Sequence, residues 1–194
     1  SILSSCDGIL VPGGFGQRGS EGKKIAIKYA RENNIPFLGI CFGMQLAIIE
    51  YAENVLGMKG ANSTEFDPNS EYPVIDYLHD QYAGIDMGGT LRLGAYDCKL
   101  DKNSLAYSCY KKELIRERHR HRYEFNSKFE EAFSKSHMKI SGKNPQTGLT
   151  EIIELDNHPF FIASQFHPEF TSRPMKPNPL FENFVGAAIN NKKQ

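Results

Sequence analysis

Two short stretches hold the side chains best suited to covalent chemistry: a cysteine set between glycines, Gly39-Ile40-Cys41-Phe42-Gly43, and a histidine followed two residues later by a carboxylate, His167-Pro168-Glu169. The apolar run "PFLGI" ends at Cys41, and beyond it Met44, Ala47, Ile48, Tyr51 and Val55 recur every three or four residues, so the thiol sits at a strand-to-helix joint. Glycine neighbours tolerate the strained backbone of a nucleophile elbow and let the side chain stand clear of the sheet. The N-terminal end of the following helix favours a thiolate, and the backbone N–H of Phe42 points to where an oxyanion would form. A thiol nucleophile needs a base. His167, with Glu169 to orient its imidazole and Pro168 to stiffen the link, completes the pattern of a Cys-His-Glu triad. Each stretch has a plainer reading, a buried cysteine acting as a small hydrophobe and His-Pro as a turn. Their mapping to one edge of one sheet favours the chemical reading.

The elements that must position these residues are legible around them. "DGILV" (7–11) forms a short buried strand, "PGGFGQRGSEG" a glycine-rich turn, and 21–33 a helix with Ile25, Ala26, Tyr29 and Ala30 on one face, stopped by Asn33-Asn34-Ile35-Pro36. "PFLGI" is the next strand, and Gly57 lies where the helix after Cys41 would be capped. Strand, helix, strand, helix with short links predicts an α/β fold, a doubly wound, mostly parallel sheet with helices on both faces, in one domain over 1–194. Ligands of such sheets sit at the carboxyl ends of the strands, where the glycine turn at 12–19, Cys41 and His167 all fall. Further on, "GGTLRLGAYDCKL" predicts a strand pair bent at Gly94, and "KFEEAFSKSH" a helix. "MKISGKNPQTGLTEIIEL" predicts a hairpin around Asn144-Pro145, "FFIASQF" (160–166) an apolar strand, and "NPLFENFVGAAIN" a closing helix.

Composition narrows the function classes. Lys plus Arg and Asp plus Glu are both 23, which gives no overall preference for nucleic acid or an anionic membrane. No apolar run approaches the roughly 20 residues of a membrane span, and the first residues lack the pattern of a signal peptide; a soluble, cytosolic chain is expected. Cys6, Cys41, Cys98 and Cys109 show neither a disulfide framework nor a Cys-x-x-Cys pair, so reduced thiols and no metal are expected. The basic run "RERHRHR" (116–122) could be read as a nucleic-acid patch. As a strand it instead puts Arg118, Arg120 and Arg122 on one face and His119 and His121 on the other, so that one arginine at the strand end can enter a pocket. Histidines at i and i+2 without a third ligand are poor support for zinc.

With those residues in hand, the sequence resembles the class I glutamine amidotransferases, whose signatures are a Gly-Gly oxyanion turn, a Gly-x-Cys-x-Gly elbow and a distal His-Pro-Glu. "NSTEF", "GGTLRLG" and "RHRHRYE" make it most similar to the glutaminase domains of the CTP synthase family, and the shared motifs run from residue 7 to residue 172. The resemblance implies a flavodoxin-like three-layer fold. It also implies that Cys41 attacks the side-chain amide of L-glutamine, His167 protonates the departing ammonia, Glu169 orients His167, and water hydrolyses the γ-glutamyl thioester. Gly14 and Phe42 would supply the oxyanion hole. Gln45, Glu65 (for the α-ammonium) and Arg122 (for the α-carboxylate) would bind glutamine alongside Gly14, a pairing that accepts a free amino acid and rejects a peptide-bonded one.

By the same resemblance the ammonia passes to an N-terminal synthetase domain, absent from this chain, that uses ATP and magnesium to aminate UTP to CTP. GTP stimulates glutamine hydrolysis, with Phe15 and Arg18 placed to contact it. Family domains begin some fifty residues earlier, and the family's lid corresponds to a shorter stretch here at 74–87. The whole protein is expected to be a homotetramer, and this chain alone a monomer or weak dimer. A stand-alone Cys-His γ-glutamyl hydrolase and a non-catalytic regulatory domain of the same fold are the alternative functions.

Overall fold

The central strands are buried on both faces, and successive side chains enter two different apolar cores, which builds the layers. In the computed structural model, which describes residues 2–77 and 91–192, strand β2 (Phe37–Ile40) sends Phe37 into one apolar core and Leu38 and Ile40 into another. Its parallel neighbours are β1 (Ile9–Val11) on one side and β10 (Phe161–Ser164) on the other, with Phe37 stacked on Phe161 at 4.3 Å. Helices α1 (Ser20–Glu32) and α2 (Phe42–Asn54) cover the first face, and α3 (Leu105–Tyr110) and α5 (Pro179–Lys192) cover the second. Helices on both faces of an α/β sheet are as expected.

The sheet is more mixed than the predicted, mostly parallel one. Beyond β10 it continues through β9 (Thr150–Leu155), β8 (Met138–Lys143), β5 (Arg92–Leu100) and β6 (Leu114–His121), and every one of those pairings is antiparallel. The hairpin around Asn144-Pro145 accounts for β8 and β9, since a hairpin can join only antiparallel strands. "GGTLRLGAYDCKL" supplies one nine-residue strand from Arg92 rather than a bent pair. Gly94 has φ +106° opposite His119 without breaking the ladder, and Gly88 to Thr90 lie outside the described residues. A second small sheet of β3 (Asn62–Ser63), β4 (Pro73–Asp76) and β7 (Glu124–Phe125) borders the site. "KFEEAFSKSH" is a 3-10 turn (Ser127–Phe129) leading into the short helix α4 (Glu130–Ser134).

β6 is the strand farthest in sheet order from β1, yet it closes over the carboxyl ends of β2 and β10: the carbonyl of Arg118 accepts from the backbone N–H of His167 at 2.8 Å. The sheet therefore curls back on itself. No helix among the described residues is long and apolar enough to cross a membrane.

Candidate active site

Three parallel strands deliver three functional segments to one place. β1 runs into the glycine turn, β2 into Cys41 and β10 into His167. Cys41 has φ +51° and ψ −101°, a strained conformation for a residue with a Cβ, and the chain around it leaves no alternative. A Cβ on Gly39 would lie 2.9 Å from the Cβ of Ala163, and one on Gly43 only 2.2 Å from the carbonyl oxygen of Val11. The flanking glycines thus let α2 start directly against the neighbouring strands. Hydrogen bonds on both sides hold the turn: Cys41 N–H donates to Ser164 O at 2.7 Å, and Cys41 O accepts from Met44 and Gln45.

Gly13 is the hinge of the arrangement. A Cβ placed there would meet His167 Cε1 at 2.9 Å and Cys41 Cβ at 3.7 Å, so the thiol and the imidazole approach the same point from two strands. His167 Nδ1–H donates to Glu169 Oε1 at 2.6 Å, and the ring stacks on Phe170 at 4.7 Å. In the neutral imidazole that bond fixes the tautomer and leaves Nε2 as the basic nitrogen. Nε2 is buried and has no hydrogen-bond partner among the described residues.

The sulfur itself is almost wholly buried, and burial pushes the Cys41 thiol up to about 12. The N–H of Phe42 and the side-chain amide of Gln165 oppose that rise, while the negative charges of Glu124 and Glu169 add to it. Desolvation therefore outweighs the helix terminus, contrary to the thiolate that the elbow alone suggests. At rest the S–H faces the carbonyl of Arg120, 4.0 Å away.

A cavity of 410 Å³ opens from the thiol. Gly14, Phe15, Cys41, Phe42, Gln45, Glu65 and Arg122 all border it. Phe15 is exposed at the rim, while Arg18 is exposed on the same turn but outside the lining. Burial raises the pKa of Glu65, and Arg122 follows directly on the last residue of β6, as the strand alternation predicts. Gln45 Nε2 donates to Tyr123 O at 3.0 Å, tying α2 to the segment that carries Arg122. Sequence reasoning passed over Gly13, Tyr123 and Gln165, although Gln165 lies within "SQFHPE" and its amide reaches the sulfur at 3.7 Å.

Behind the cavity lies a buried charged cluster. Arg92 on β5 pairs with Glu124 at 3.0 Å and Glu151 at 2.6 Å; His119 Nε2 is 3.3 Å from Glu151 Oε2, and the two imidazoles meet at 2.8 Å. Tyr123 O can only accept, so the Nδ1 of His121, 3.2 Å away, carries a proton. His121 Nε2 then accepts from His119 Nδ1–H, and the bare Nε2 of His119 faces Glu151. One guanidinium against two buried carboxylates leaves one negative charge over. Burial pushes Glu124 up to about 8, so at neutral pH a proton on that carboxyl offsets the charge. Burial holds both imidazoles neutral, well below the usual histidine range, and raises both carboxyls.

Comparisons with known proteins give the family. The family model for class-I glutamine amidotransferases matches residues 1–187. The chain belongs to that family. A solved glutaminase domain of Trypanosoma brucei CTP synthase with bound acivicin superposes with a TM-score of 0.91 at 42% identity, over 97% of this chain and 73% of that one. Within the class-I amidotransferases, the chain is therefore a glutaminase domain of the CTP synthase kind. CTP synthase of Bacillus subtilis (strain 168) is 58% identical over 193 residues, 100% of this chain and 36% of the relative. That of Caldanaerobacter subterraneus is 59% identical over 191 residues, 98% of this chain and 36% of the relative. The amidotransferase chain thus spans about a third of the length of these curated relatives.

Proposed function

We propose that this chain hydrolyses L-glutamine and supplies the ammonia to a synthetase site, outside it, that uses ATP and magnesium to convert UTP to CTP. The observation that carries the reading is the strained elbow at Cys41 beside an imidazole whose Nδ1 is engaged by Glu169 and whose Nε2 is free. Because burial favours the thiol, proton transfer from sulfur to His167 Nε2 accompanies attack on the γ-carboxamide carbon rather than preceding it. The oxyanion that forms takes hydrogen bonds from the backbone N–H groups of Phe42 and Gly14. His167 Nε2–H then protonates the leaving nitrogen, the C–N bond breaks, and ammonia departs from a thioester on Cys41. Water, losing its proton to the same Nε2, hydrolyses the thioester to glutamate and restores the thiol.

Glu65 and Arg122, both on the cavity wall, match the ammonium and carboxylate of a free amino acid, and Gln45 lies between the thiol and Tyr123. Phe15 and Arg18, exposed on the glycine turn, are the residues we assign to GTP activation. The family's lid falls mostly at 78–87, outside the described residues.

The test is peptide mass spectrometry after treatment with acivicin, with and without excess glutamine. A single adduct on Cys41, suppressed by glutamine, is expected. Equal labelling of Cys6, Cys98 and Cys109, or labelling of Cys41 that glutamine does not slow, overturns the proposal.

A further inference from the structure

Gln165 stands two residues before His167 at the end of β10, fully buried, and it does not border the cavity. Its backbone is fixed by donation from its N–H to Glu151 O at 2.8 Å. The orientation of its side-chain amide follows from its neighbours. Tyr123 O only accepts, so Gln45 must present its Nε2 there, at 3.0 Å. The same Nε2 faces Gln165 Oε1 at 3.4 Å, which leaves Gln165 Nε2 against Cys41 Sγ at 3.7 Å. Turning the Gln165 amide over would set two NH₂ groups against each other and an oxygen lone pair against the sulfur. Two glutamines, one on α2 and one on β10, thus form a directed chain from Tyr123 O to the reacting atom.

The chain acquires a purpose when the thiol loses its proton. The S–H at rest points to Arg120 O, which repels a thiolate, so the developing charge needs donors elsewhere. The N–H of Phe42 is one, and it must be shared with the oxyanion. The amide of Gln165 cannot be shared, because it lies outside the substrate cavity and touches only the sulfur side.

We infer that Gln165 is a further catalytic residue of this site, a dedicated hydrogen-bond donor to the Cys41 thiolate, held in that orientation by Gln45. The inference rests on the proposed role of Cys41 as nucleophile.

The experiment alkylates the substrate-free protein with iodoacetamide across pH 6 to 10, follows the Cys41 peptide by mass spectrometry, and compares the parent with Gln165→Met and Gln165→Glu. Removing a hydrogen bond to a charged group should slow alkylation at neutral pH by about tenfold or more and move its pH profile to higher pH. Gln165→Glu, which keeps shape and polarity but offers oxygen to the sulfur, should slow it further. Glutamine hydrolysis should fall in kcat with KM little changed, since no cavity contact is lost. A Gln165→Met profile superimposable on the parent's, or faster alkylation of Gln165→Glu, overturns the inference. Should Gln165→Met not fold, Gln165→Glu decides alone. Alkylation needs no glutamine, so a parent that alkylates but does not hydrolyse glutamine would refute the glutaminase reading and leave Gln165 to be judged on its own rates.

Discussion

Strands β1, β2 and β10 carry Gly13, Cys41 and His167 past their carboxyl ends on a parallel, apolar base. β5, β6 and β9 instead bring Arg92, His119, His121 and Glu151 into the interior behind them as charged and polar groups. The first region fixes its reactive side chain by excluding volume: glycines that nothing else can replace and a backbone turn with positive φ. The second fixes its side chains by matching charges. The difference teaches which kind of change each region tolerates. A single methyl group is intolerable in the first, and a single lost charge in the second.

The largest expected effect breaks the volume side of this contrast. Gly43→Ala puts a methyl carbon 2.2 Å from the carbonyl oxygen of Val11, a backbone atom paired within the sheet, and should cost more than about 4 kcal/mol, the exceptional end for one substitution. Urea unfolding measures it, and a loss below 1 kcal/mol would show that the elbow can relax. Next comes the charge side. Arg92→Met keeps the length of the side chain but leaves Glu124 and Glu151 buried without their guanidinium, and should cost about 3 to 4 kcal/mol in the same assay. A neutral outcome would mean that the cluster is already discharged without arginine.

The smallest effect sharpens the picture of the charged cluster, and its sign can be worked out. Folded, the cluster holds one proton on its carboxyls and leaves both imidazoles neutral. Unfolded, His119 and His121 take up protons near their ordinary 6.5 and the carboxyls only near 4.5. Above pH 6.5 the folded state holds the extra proton, so stability falls as pH rises toward the raised carboxyl value. Below it the unfolded state holds more, so stability falls again as pH drops. Unfolding free energy should therefore peak near pH 6.5 and fall away on either side, with slopes that approach but do not exceed about 1.4 kcal/mol per pH unit. A flat profile between pH 5.5 and 7.5 would show that the folded carboxyls hold no extra proton.

The same contrast explains what the sequence made legible. The elbow, the helix behind it and the His167–Glu169 link are set by neighbours within a few residues, so composition and spacing suffice to find them. Alternation also found the faces of β6: Ile115, Glu117, His119 and His121 are buried and the arginines between them are exposed. The partners of the cluster were not legible. Arg92 meets Glu124 and Glu151 only through strand order, 32 and 59 residues away, and nothing local distinguishes those glutamates from solvated ones. The mostly parallel sheet was expected because two successive strand–helix units dominate the first part of the chain. The long antiparallel continuation depends on hairpins whose strands are less regular in pattern. Helix α3 escaped for a related reason: Ser104 caps it and Glu154 accepts from its first N–H groups, a tertiary support for only six residues.

Helix α2 is buried all round, from Phe42 through Ala52, so no apolar stripe tells it which way to turn about its own axis. Each residue step along a helix is about 100°, and a small rotation would swing the whole of its first turn, and the thiol that leads into it, off target. Glu50, the charged side chain in that buried run, accepts from both Nε and Nη2 along one edge of the Arg31 guanidinium on α1, at 2.9 and 2.6 Å. It acts as a key in a keyway, setting the azimuth of the helix from its far end and so aiming Cys41 from about two and a half turns away.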